Sequence, residues 1–354
     1  MNFRPSQISA TDAAQRFEHG LCFAIFALVR SPERHFMPRV ADSLDQIRER
    51  TEFMRAVFVD CTEELAKVIK ARGLPIPDSL EICSGALSRM ELIGCCQGAD
   101  VLLVEHTMLP PEVFDACPSV LSVIFLGTGA GSYIDLPEAA RRGISVVTTT
   151  GYGNRAVAEH ALALIFAGAR DVARMDREIR SGSWRPRGGL QLSGRRLAIV
   201  GLGGIGAELA AMASALGMRV RGWNRTRKDH PSYVSDLDEA MRDADVVSLH
   251  LALNDETFRV LDGRRLGLLG RGSIVVNTAR GALIDDFSLL EALDEGQVGH
   301  AALDVFPDEP LPADNPYVGR NNVTLTAHAA YMTDDAYAEL WSRATSAMNA
   351  LTLP

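Results

Sequence analysis

Residues 196–216 read RLAIVGLGGIGAELAAMASAL, and this stretch decides the fold. Leu197–Val200 is a short apolar run, as expected for a strand that is buried on both faces of a parallel sheet. It leads into the turn Gly201-Leu-Gly-Gly-Ile-Gly206, and helical apolar spacing follows over Ala207–Leu216. A G-x-G-x-x-G turn between a strand and a helix is typical of a dinucleotide-binding βαβ unit, which we predict here. The alternative is a glycine-rich turn that binds no ligand.

Each part of this turn has a physical reason for binding a dinucleotide. Gly201 permits the tight turn, Gly203 lets the backbone approach a pyrophosphate, and Gly206 allows close packing of helix against strand. The N–H groups at the start of the helix, together with the positive end of its dipole, favour phosphate. We therefore predict cofactor contacts at Gly201, Gly203, Gly204, Ile205 and Gly206.

The end of the next strand distinguishes NAD from NADP. The segment 221–228 reads RGWNRTRK, and Asn224 stands where an acidic residue is expected, 18 residues after Gly206. A carboxylate there would bind the ribose 2′-hydroxyl and repel a 2′-phosphate, and Asn224 does neither. Arg225 and Arg227, with Lys228, can donate charge-assisted hydrogen bonds worth roughly 1.5–3 kcal/mol each. We predict NADP, with NAD as the alternative if this is only a solvated basic turn.

The rest of the chain divides into two α/β blocks. A length of 354 residues suggests two domains of about 150 residues. Short apolar runs predict the strands of the first block, at 55–60, 99–104, 120–126 and 144–148. The almost wholly apolar stretch 156–171 predicts a buried helix that links the blocks. Further runs predict the strands of the second block, at 196–200, 218–223, 245–250, 273–277, 301–305 and 322–326.

The order of these elements predicts the architecture. We expect an α/β protein with two Rossmann-like domains, in which a doubly wound, parallel-sheet nucleotide domain is inserted into a smaller, flavodoxin-like substrate domain. The nucleotide domain is predicted at residues 154–328, and the substrate domain at 54–153 plus 329–354, where a last helix packs back on the first block. Residues 1–53 form an N-terminal extension of unknown role.

The composition excludes several classes of protein. There are 36 basic and 45 acidic residues, and the net charge of −9 is the opposite of what a general nucleic-acid binder shows. The apolar run Leu21–Val29 has nine residues, whereas a bilayer span needs about twenty. The six cysteines show no Cys-x-x-Cys spacing, so we predict reduced thiols in a cytoplasmic protein and no metal site. The first twenty residues lack the features of a signal or transit peptide.

Several segments resemble one protein family, the D-isomer-specific 2-hydroxyacid dehydrogenases. They are the segments 127–135 (GTGAGSYID), 151–160 (GYGNRAVAEH), 275–285 (VVNTARGALID), 302–310 (ALDVFPDEP) and 322–328 (NVTLTAH). The resemblance also extends to the basic turn after the second nucleotide-domain strand, which is similar to that of NADP-dependent glyoxylate/hydroxypyruvate reductases. The resemblance implies the two-domain fold given above and a homodimer.

Three residues within these segments have the chemistry that reduction of a 2-keto acid requires. Arg280 can clamp the carboxylate and polarise the adjacent carbonyl group. His328 can give a proton to the oxygen, and Glu309 can accept from the other imidazole nitrogen and stabilise the imidazolium. The resemblance implies that these are the catalytic residues. Taken singly, each has a simpler interpretation, as a surface ion pair, a solvated turn and a structural histidine.

Other site residues follow from the resemblance alone. It implies that Thr278 and Ala279 border the nicotinamide, that Asp304 accepts from its carboxamide and that His250 lies near its ribose. The proline that is usual two residues after His250 is replaced by Ala252, and the one before His328 by Ala327.

The resemblance also predicts the substrate contacts. Backbone N–H groups of the loop at Glu105 and His106 are expected to hold the substrate carboxylate, together with Gly129 and Arg280. Glu105 would repel an anionic substrate if it pointed inward, so we expect it to point outward. His106 is then the side chain expected to face the cleft.

The leading hypothesis is an oxidoreductase that transfers a hydride between NAD(P)H and a small 2-keto acid or D-2-hydroxy acid, such as glyoxylate or hydroxypyruvate. One alternative keeps the fold and changes the substrate to phosphoglycerate, formate or phosphite. Another is a dinucleotide-sensing interaction protein similar to the transcriptional corepressors of this family. We predict small-molecule partners, no nucleic acid and no membrane.

Overall fold

The computed structural model describes residues 54–85 and 87–352. Its first sheet is wholly parallel, with strand order β2-β1-β3-β4-β5, the flavodoxin-like order. Its strands are β1 (Ala56–Cys61), β2 (Leu80–Ser84), β3 (Val101–Val104), β4 (Ser122–Phe125) and β5 (Ser145–Thr148). The sequence predicts all but β2. That strand lies at the sheet edge, where Glu81 and Ile82 are exposed, so it lacks the continuous apolar run of a buried strand.

Polar side chains cap the start of three of the four helices that lie between the strands of this sheet. The first helix begins after Thr62, whose hydroxyl accepts from the N–H of Leu65, and ends at Gly73 in the left-handed conformation. A second helix, which the sequence analysis did not predict, begins at a capping box between Ser88 and Glu91. The four helices are α1 (Glu63–Arg72), α2 (Arg89–Cys96), α3 (Pro111–Ala116) and α4 (Leu136–Arg141).

The second sheet is also wholly parallel, with strand order β12-β11-β10-β9-β6-β7-β8. The chain starts at β6 and builds outward in both directions, so β6 and β9 flank the topological switch point at which such sheets bind ligands. The strands are β6 (Arg196–Val200), β7 (Arg219–Trp223), β8 (Tyr233–Val234), β9 (Val246–Leu249), β10 (Ser273–Asn277), β11 (Val298–Leu303) and β12 (Val323–Leu325). All six predicted strands are present, and the two-residue strand β8 is one that the sequence analysis does not predict.

Helices cover both faces of the second sheet. The linking helix begins at Asn154, two residues before the predicted start, and packs against α7, β10 and β11. The helices that follow the first block in the chain are α5 (Asn154–Arg170), α6 (Val172–Arg180), α7 (Gly204–Ala215), α8 (Leu237–Met241), α9 (Gly263–Leu266), α10 (Asp286–Asp294) and α11 (Asp334–Thr352), of which α11 packs on the first sheet instead.

The last helix returns to the first sheet. In α11, the buried Trp341 stacks on Phe58 of β1 with ring centroids 6.2 Å apart, and its indole N–H donates to the Pro75 carbonyl at 2.9 Å. The predicted two-domain α/β fold is therefore confirmed. The boundaries at 54–153 plus 329–354 and at 154–328 stay a prediction, and the extension 1–53 lies outside the described residues. Within the described ranges, no helix is long and apolar enough to cross a membrane.

Candidate active site

The three predicted catalytic residues follow the carboxyl ends of three neighbouring strands. Arg280 comes after β10, Glu309 after β11 and His328 after β12, and these strands lie side by side in the second sheet. The carboxyl ends of parallel strands share one edge of the sheet, so the three side chains reach the same cleft.

His328 and Glu309 form a hydrogen-bonded pair. Imidazole Nδ1 lies 2.7 Å from carboxylate Oε2, and Oε1 of Glu309 accepts from the backbone N–H of Phe306 at 2.8 Å. Burial opposes ionisation of Glu309, but the hydrogen bonds from His328 and Phe306 outweigh it and hold the pKa of Glu309 below its ordinary value. With Nδ1 bonded to a carboxylate, Nε2 is the nitrogen left for a ligand.

The backbone that carries His328 is held by a buried carboxylate. His328 has φ 51°, the left-handed region that a non-glycine residue adopts at a cost of roughly 1–2 kcal/mol. Asp304 is fully buried, and its carboxylate accepts from the hydroxyl of Thr326 at 2.6 Å and from the N–H groups of Ala329 and Ala330, each at 3.0 Å. These bonds fix the turn on both sides of His328.

The hydrogen-bond partners of Asp304 limit its predicted role as an acceptor for the nicotinamide carboxamide. Burial opposes its ionisation, but hydrogen bonds from His160, Thr326 and Ala329 outweigh that effect and lower the pKa of Asp304. A nicotinamide carboxamide would have to share oxygens that already bind these groups. The carboxamide contact therefore stays a prediction, and the contacts present make Asp304 a positioning residue for His328.

Arg280 reaches across to the first domain. Its Nη1 donates to the carbonyl of Ala279 at 2.6 Å, and its Nη2 lies 3.4 Å from the carbonyl of Thr128. A methyl group on Gly129 would overlap Nη2, so this position requires glycine for Arg280 to come so close. The buried Asn277, which the sequence analysis missed, fixes the turn because its side chain bonds both Ala279 N–H and Arg280 carbonyl.

The loop after β3 does not offer its backbone to a substrate as predicted. The N–H groups of Glu105, His106 and Thr107 all donate to the carboxylate of Asp60, at 2.9, 2.6 and 2.6 Å. An internal anion thus occupies the donors that were expected to hold the substrate carboxylate. Arg280 and the turn at Gly129 stay the predicted partners of that carboxylate.

Glu105 points inward, so the prediction that it faces solvent is wrong. It is 2% exposed, and its Oε1 accepts from the hydroxyl of Tyr331 at 2.9 Å. Burial raises the pKa of Glu105 to about 7, against the opposing hydrogen bond from Tyr331. Its side chain is enclosed by the first domain and cannot contact a substrate.

His106 occupies the place beside the cleft that the sequence predicts. Its ring centroid is 6.5 Å from that of His328 and 6.1 Å from that of Tyr133. Burial lowers the pKa of His106, and the neighbouring His328 adds to this, although Asp60 and Glu309 oppose it. Its surroundings therefore favour the neutral imidazole.

The glycine-rich turn has the shape that a pyrophosphate requires. Gly201 has φ 111°, which other residues rarely adopt, and a side chain there would overlap the carbonyl of His250. Gly206 packs against Gly201 and Ile199, whereas a side chain at Gly203 would project into open space. Within the described chain, no side chain caps the start of α7 at Gly203, so its N–H groups are left for a ligand.

Two buried polar atoms near this turn fit a dinucleotide. His250 Nδ1 and Thr278 Oγ1, at the carboxyl ends of β9 and β10, have no hydrogen-bond partner among the described residues. Buried polar groups normally have partners, so such atoms point to a ligand. Burial lowers the pKa of His250 to about 4, which leaves a neutral ring whose Nε2 lies 2.9 Å from Ser248 Oγ. Residues of these types suit the polar atoms of a nicotinamide ribose.

The remaining predicted cofactor residues are distributed around the turn. Gly204 lies directly against the side chain of Asn154, so this glycine also brings α7 close to α5, and Ile205 packs in the core. At the end of β7, the amide of Asn224 donates to the carbonyl of Thr226 at 2.8 Å. Arg225 pairs with Glu256 at 2.5 Å, and Arg227 is exposed.

Comparisons with known proteins agree with this geometry. Residues 162–330 match the family described as D-isomer specific 2-hydroxyacid dehydrogenase, NAD binding domain. A glyoxylate reductase of Korarchaeum cryptofilum is 38% identical in an alignment of 253 residues that covers 68% of this chain and 75% of that protein. A crystal structure from Thermus thermophilus superposes with TM-score 0.74 at 34% identity, covering 84% of this chain and 96% of that one. An acyclic imino acid reductase in complex with NADPH and D-arginine has TM-score 0.72 at 26% identity, covering 84% and 96%.

The buried Glu105 generates a prediction about stability. An unfolded glutamate titrates near pH ~4.3, whereas Glu105 does so near 7. The folded state therefore binds the extra proton between these values, and its stability falls as the pH rises through that window. Glu105→Gln keeps the acceptor for Tyr331 and removes the charge, so it should be more stable than wild type by about 3–4 kcal/mol at pH 8 and by only about 1 kcal/mol at pH 5.

Urea unfolding at both pH values measures this difference. The exposed Glu112→Gln is the matched control and should change stability little at either pH. A difference between Glu105→Gln and wild type that is the same at pH 5 and pH 8 would contradict the assignment.

Proposed function

The chain belongs to the D-isomer-specific 2-hydroxyacid dehydrogenase family, and on this premise we propose that it reduces small 2-keto acids such as glyoxylate and hydroxypyruvate with NADPH. It is an oxidoreductase with a nicotinamide-dinucleotide-binding domain. The observation that carries the proposal is the pairing of His328 with Glu309 in the same cleft as Arg280. A guanidinium, an imidazole and a carboxylate are the groups that 2-keto acid reduction needs.

Arg280 binds the substrate carboxylate and orients the keto group. Its guanidinium is held between the carbonyls of Ala279 and Thr128, so it enters the cleft in a fixed position. A planar donor pair matches a carboxylate and adds both affinity and orientation. Its positive charge also stabilises the negative charge that develops on the adjacent oxygen during reduction.

His328 gives the proton to the keto oxygen from Nε2 and takes it back in the oxidative direction. Glu309 holds Nδ1 and stabilises the imidazolium while Nε2 carries the proton. Asp304 keeps the turn at His328 in its left-handed conformation, so the imidazole stays aimed at the cleft.

A nicotinamide dinucleotide, when bound, supplies or accepts the hydride. The N–H groups of Gly204–Gly206 and the open space at Gly203 suit its pyrophosphate. His250 and Thr278 would bind its ribose and nicotinamide with their buried, unpartnered atoms, within the described part of the chain.

The basic turn supports NADPH as the preferred cofactor. Asn224 offers no carboxylate to repel a 2′-phosphate, and Arg225, Arg227 and Lys228 are exposed at the end of β7. Arg225 now binds Glu256 at the surface, where an ion pair is weak and can be exchanged for a phosphate. The reductase structure with NADPH is a relative of the same fold.

An exposed apolar surface supports a homodimer. Val172 and Ile179 share one face of α6, and with Phe166 and Trp184 they are 40–82% exposed. None of the α6 side chains is buried against the described residues. Large exposed apolar patches mark protein interfaces.

We also propose a cytoplasmic location, because all five cysteines that the structure describes are thiols.

The catalytic proposal predicts the effect of removing the imidazole. His328→Asn should lower kcat for glyoxylate and hydroxypyruvate reduction by at least about a hundredfold, since a general acid contributes 10²–10⁴-fold. NADPH binding, followed by fluorescence titration, should stay unchanged. His230→Asn is the control and should keep full activity. Near-normal turnover by His328→Asn would refute the role, and reduction of 3-phosphohydroxypyruvate alone would favour the phosphoglycerate alternative.

The cofactor proposal predicts a change in preference. Asn224→Asp combined with Arg225→Ala and Arg227→Ala should shift the ratio of kcat/KM for NADPH over NADH toward NADH by at least about tenfold. Lys67→Ala with Arg89→Ala removes two positive charges from the first domain as a control. If the ratio of kcat/KM for NADPH over NADH is unchanged in the triple variant, the proposed 2′-phosphate site at this turn is contradicted.

The dimer proposal predicts the state in solution. Sedimentation equilibrium should give twice the chain mass of 38.3 kDa for wild type. Trp184→Asp with Ile179→Asp should give the single chain mass, because two charges would be buried in the interface. Phe287→Asp, at another exposed aromatic residue on α10, is the control. A wild-type monomer at micromolar concentration would count against the interface.

A further inference from the structure

A chain of hydrogen bonds beside the catalytic pair has no part in the mechanism above. It consists of Glu105, Tyr331 and His106, with the Tyr331 hydroxyl 2.9 Å from Glu105 Oε1 and 3.3 Å from His106 Nε2. Glu105 and Tyr331 are 2% and 8% exposed, whereas the His106 side chain is 38% exposed. The chain therefore starts in the interior and ends at the cleft.

The direction of these hydrogen bonds follows from the number of protons available. The Tyr331 hydroxyl has one proton, which it donates to Glu105, so its oxygen can accept only from a protonated Nε2 of His106. One tautomer of a neutral imidazole is thereby fixed, and the ring cannot turn without breaking this bond.

The backbone and the ring of His106 are fixed as well. Three successive N–H groups of its loop bind Asp60, and its ring meets the edge of Tyr133 at an interplanar angle of 80°. The His106 side chain is thus held by its loop backbone, by the ring of Tyr133 and by the Tyr331 hydroxyl, and these contacts fix its position. It cannot move aside to admit a larger ligand.

This fixed ring limits the space next to the reacting carbon. The rings of His106 and His328 are 6.5 Å apart at 79°, nearly in edge contact, so no substituent passes between them. When Arg280 holds the carboxylate and His328 the keto oxygen, the third substituent of the planar keto carbon points away from Arg280. On the side of the first domain, the ring that stands next to His328 is that of His106.

We propose that His106 is a specificity-determining residue that restricts the enzyme to 2-keto acids with a small third substituent, and that Tyr331 and Glu105 are positioning residues that hold it. The inference rests on the proposed 2-keto acid reductase activity. The class includes glyoxylate, which has hydrogen there, and hydroxypyruvate, which has a hydroxymethyl group. It excludes branched and aromatic 2-keto acids.

The size limit is tested by three substitutions at one position. His106→Ala removes the steric limit, so kcat/KM for 4-methyl-2-oxopentanoate relative to hydroxypyruvate should rise by tenfold to a hundredfold. His106→Leu keeps the volume of the side chain, so this ratio should stay within about threefold of the wild-type ratio. His106→Gln keeps most of the volume and should retain most of the wild-type preference.

The positioning residues are tested through the same ratios. Tyr331→Phe removes the hydroxyl and frees the ring, so the preference for hydroxypyruvate over 4-methyl-2-oxopentanoate should weaken by several-fold while kcat for glyoxylate is kept. Glu105→Gln preserves the acceptor for Tyr331 and should leave the ratios unchanged. His230→Ala is the control for loss of a histidine elsewhere.

The outcomes separate this inference from the proposed function. If wild type reduces none of these acids with NADPH or NADH, the proposed function fails. If wild type reduces small acids and His106→Ala keeps its substrate ratios, or if His106→Leu relaxes them as far as His106→Ala does, the role of His106 is overturned. Thermal unfolding and NADPH titration of each variant identify misfolding, and Tyr331→Phe and His106→Gln still test the inference if His106→Ala does not fold.

Discussion

The buried carboxylate of Asp304 is the constraint on which the site depends. It binds the hydroxyl of Thr326 and the N–H groups of Ala329 and Ala330, and so holds the left-handed turn at His328. Those bonds, together with the bond from the His328 N–H to the Asp304 backbone carbonyl, compensate the backbone strain of the turn. This turn directs Nδ1 to Glu309 and leaves Nε2 without that partner. The buried charge of Asp304 therefore determines the position of the imidazole that we propose as the proton donor.

The second requirement is close approach of the two domains. Arg280 belongs to the second sheet, but its guanidinium lies against Thr128 and Gly129 after the first sheet, and the approach is possible because Gly129 has no side chain. The carboxylate of Asp60 holds the adjacent loop, residues 105–107, by accepting hydrogen bonds from its three N–H groups. The first domain thus contributes shape and the second contributes charge and proton chemistry.

The sequence predicts the parts of this arrangement that have local signals. Strands buried on both faces read as apolar runs, and Arg280, Glu309 and His328 stand directly after strands, in recognisable segments. The exposed edge strand β2 has no such run. The hydrogen bond from Tyr331 to Glu105 joins residues 226 positions apart, so no local sequence pattern indicates it. The prediction that Glu105 points outward considers only repulsion of the substrate, and it is wrong because Glu105 has this buried partner. Asp60 was missed for the same reason, since its partners lie 45–47 residues away.

The most direct test of the central claim is a crystal structure of the chain with NADPH and oxamate, an isostere of a 2-keto acid that accepts no hydride. The account predicts that Nε2 of His328 lies within about 2.6–3.2 Å of the oxamate amide oxygen, with Arg280 on the carboxylate. Binding of that carboxylate by the N–H groups of residues 105–107, or an imidazole turned away from the ligand, would contradict it.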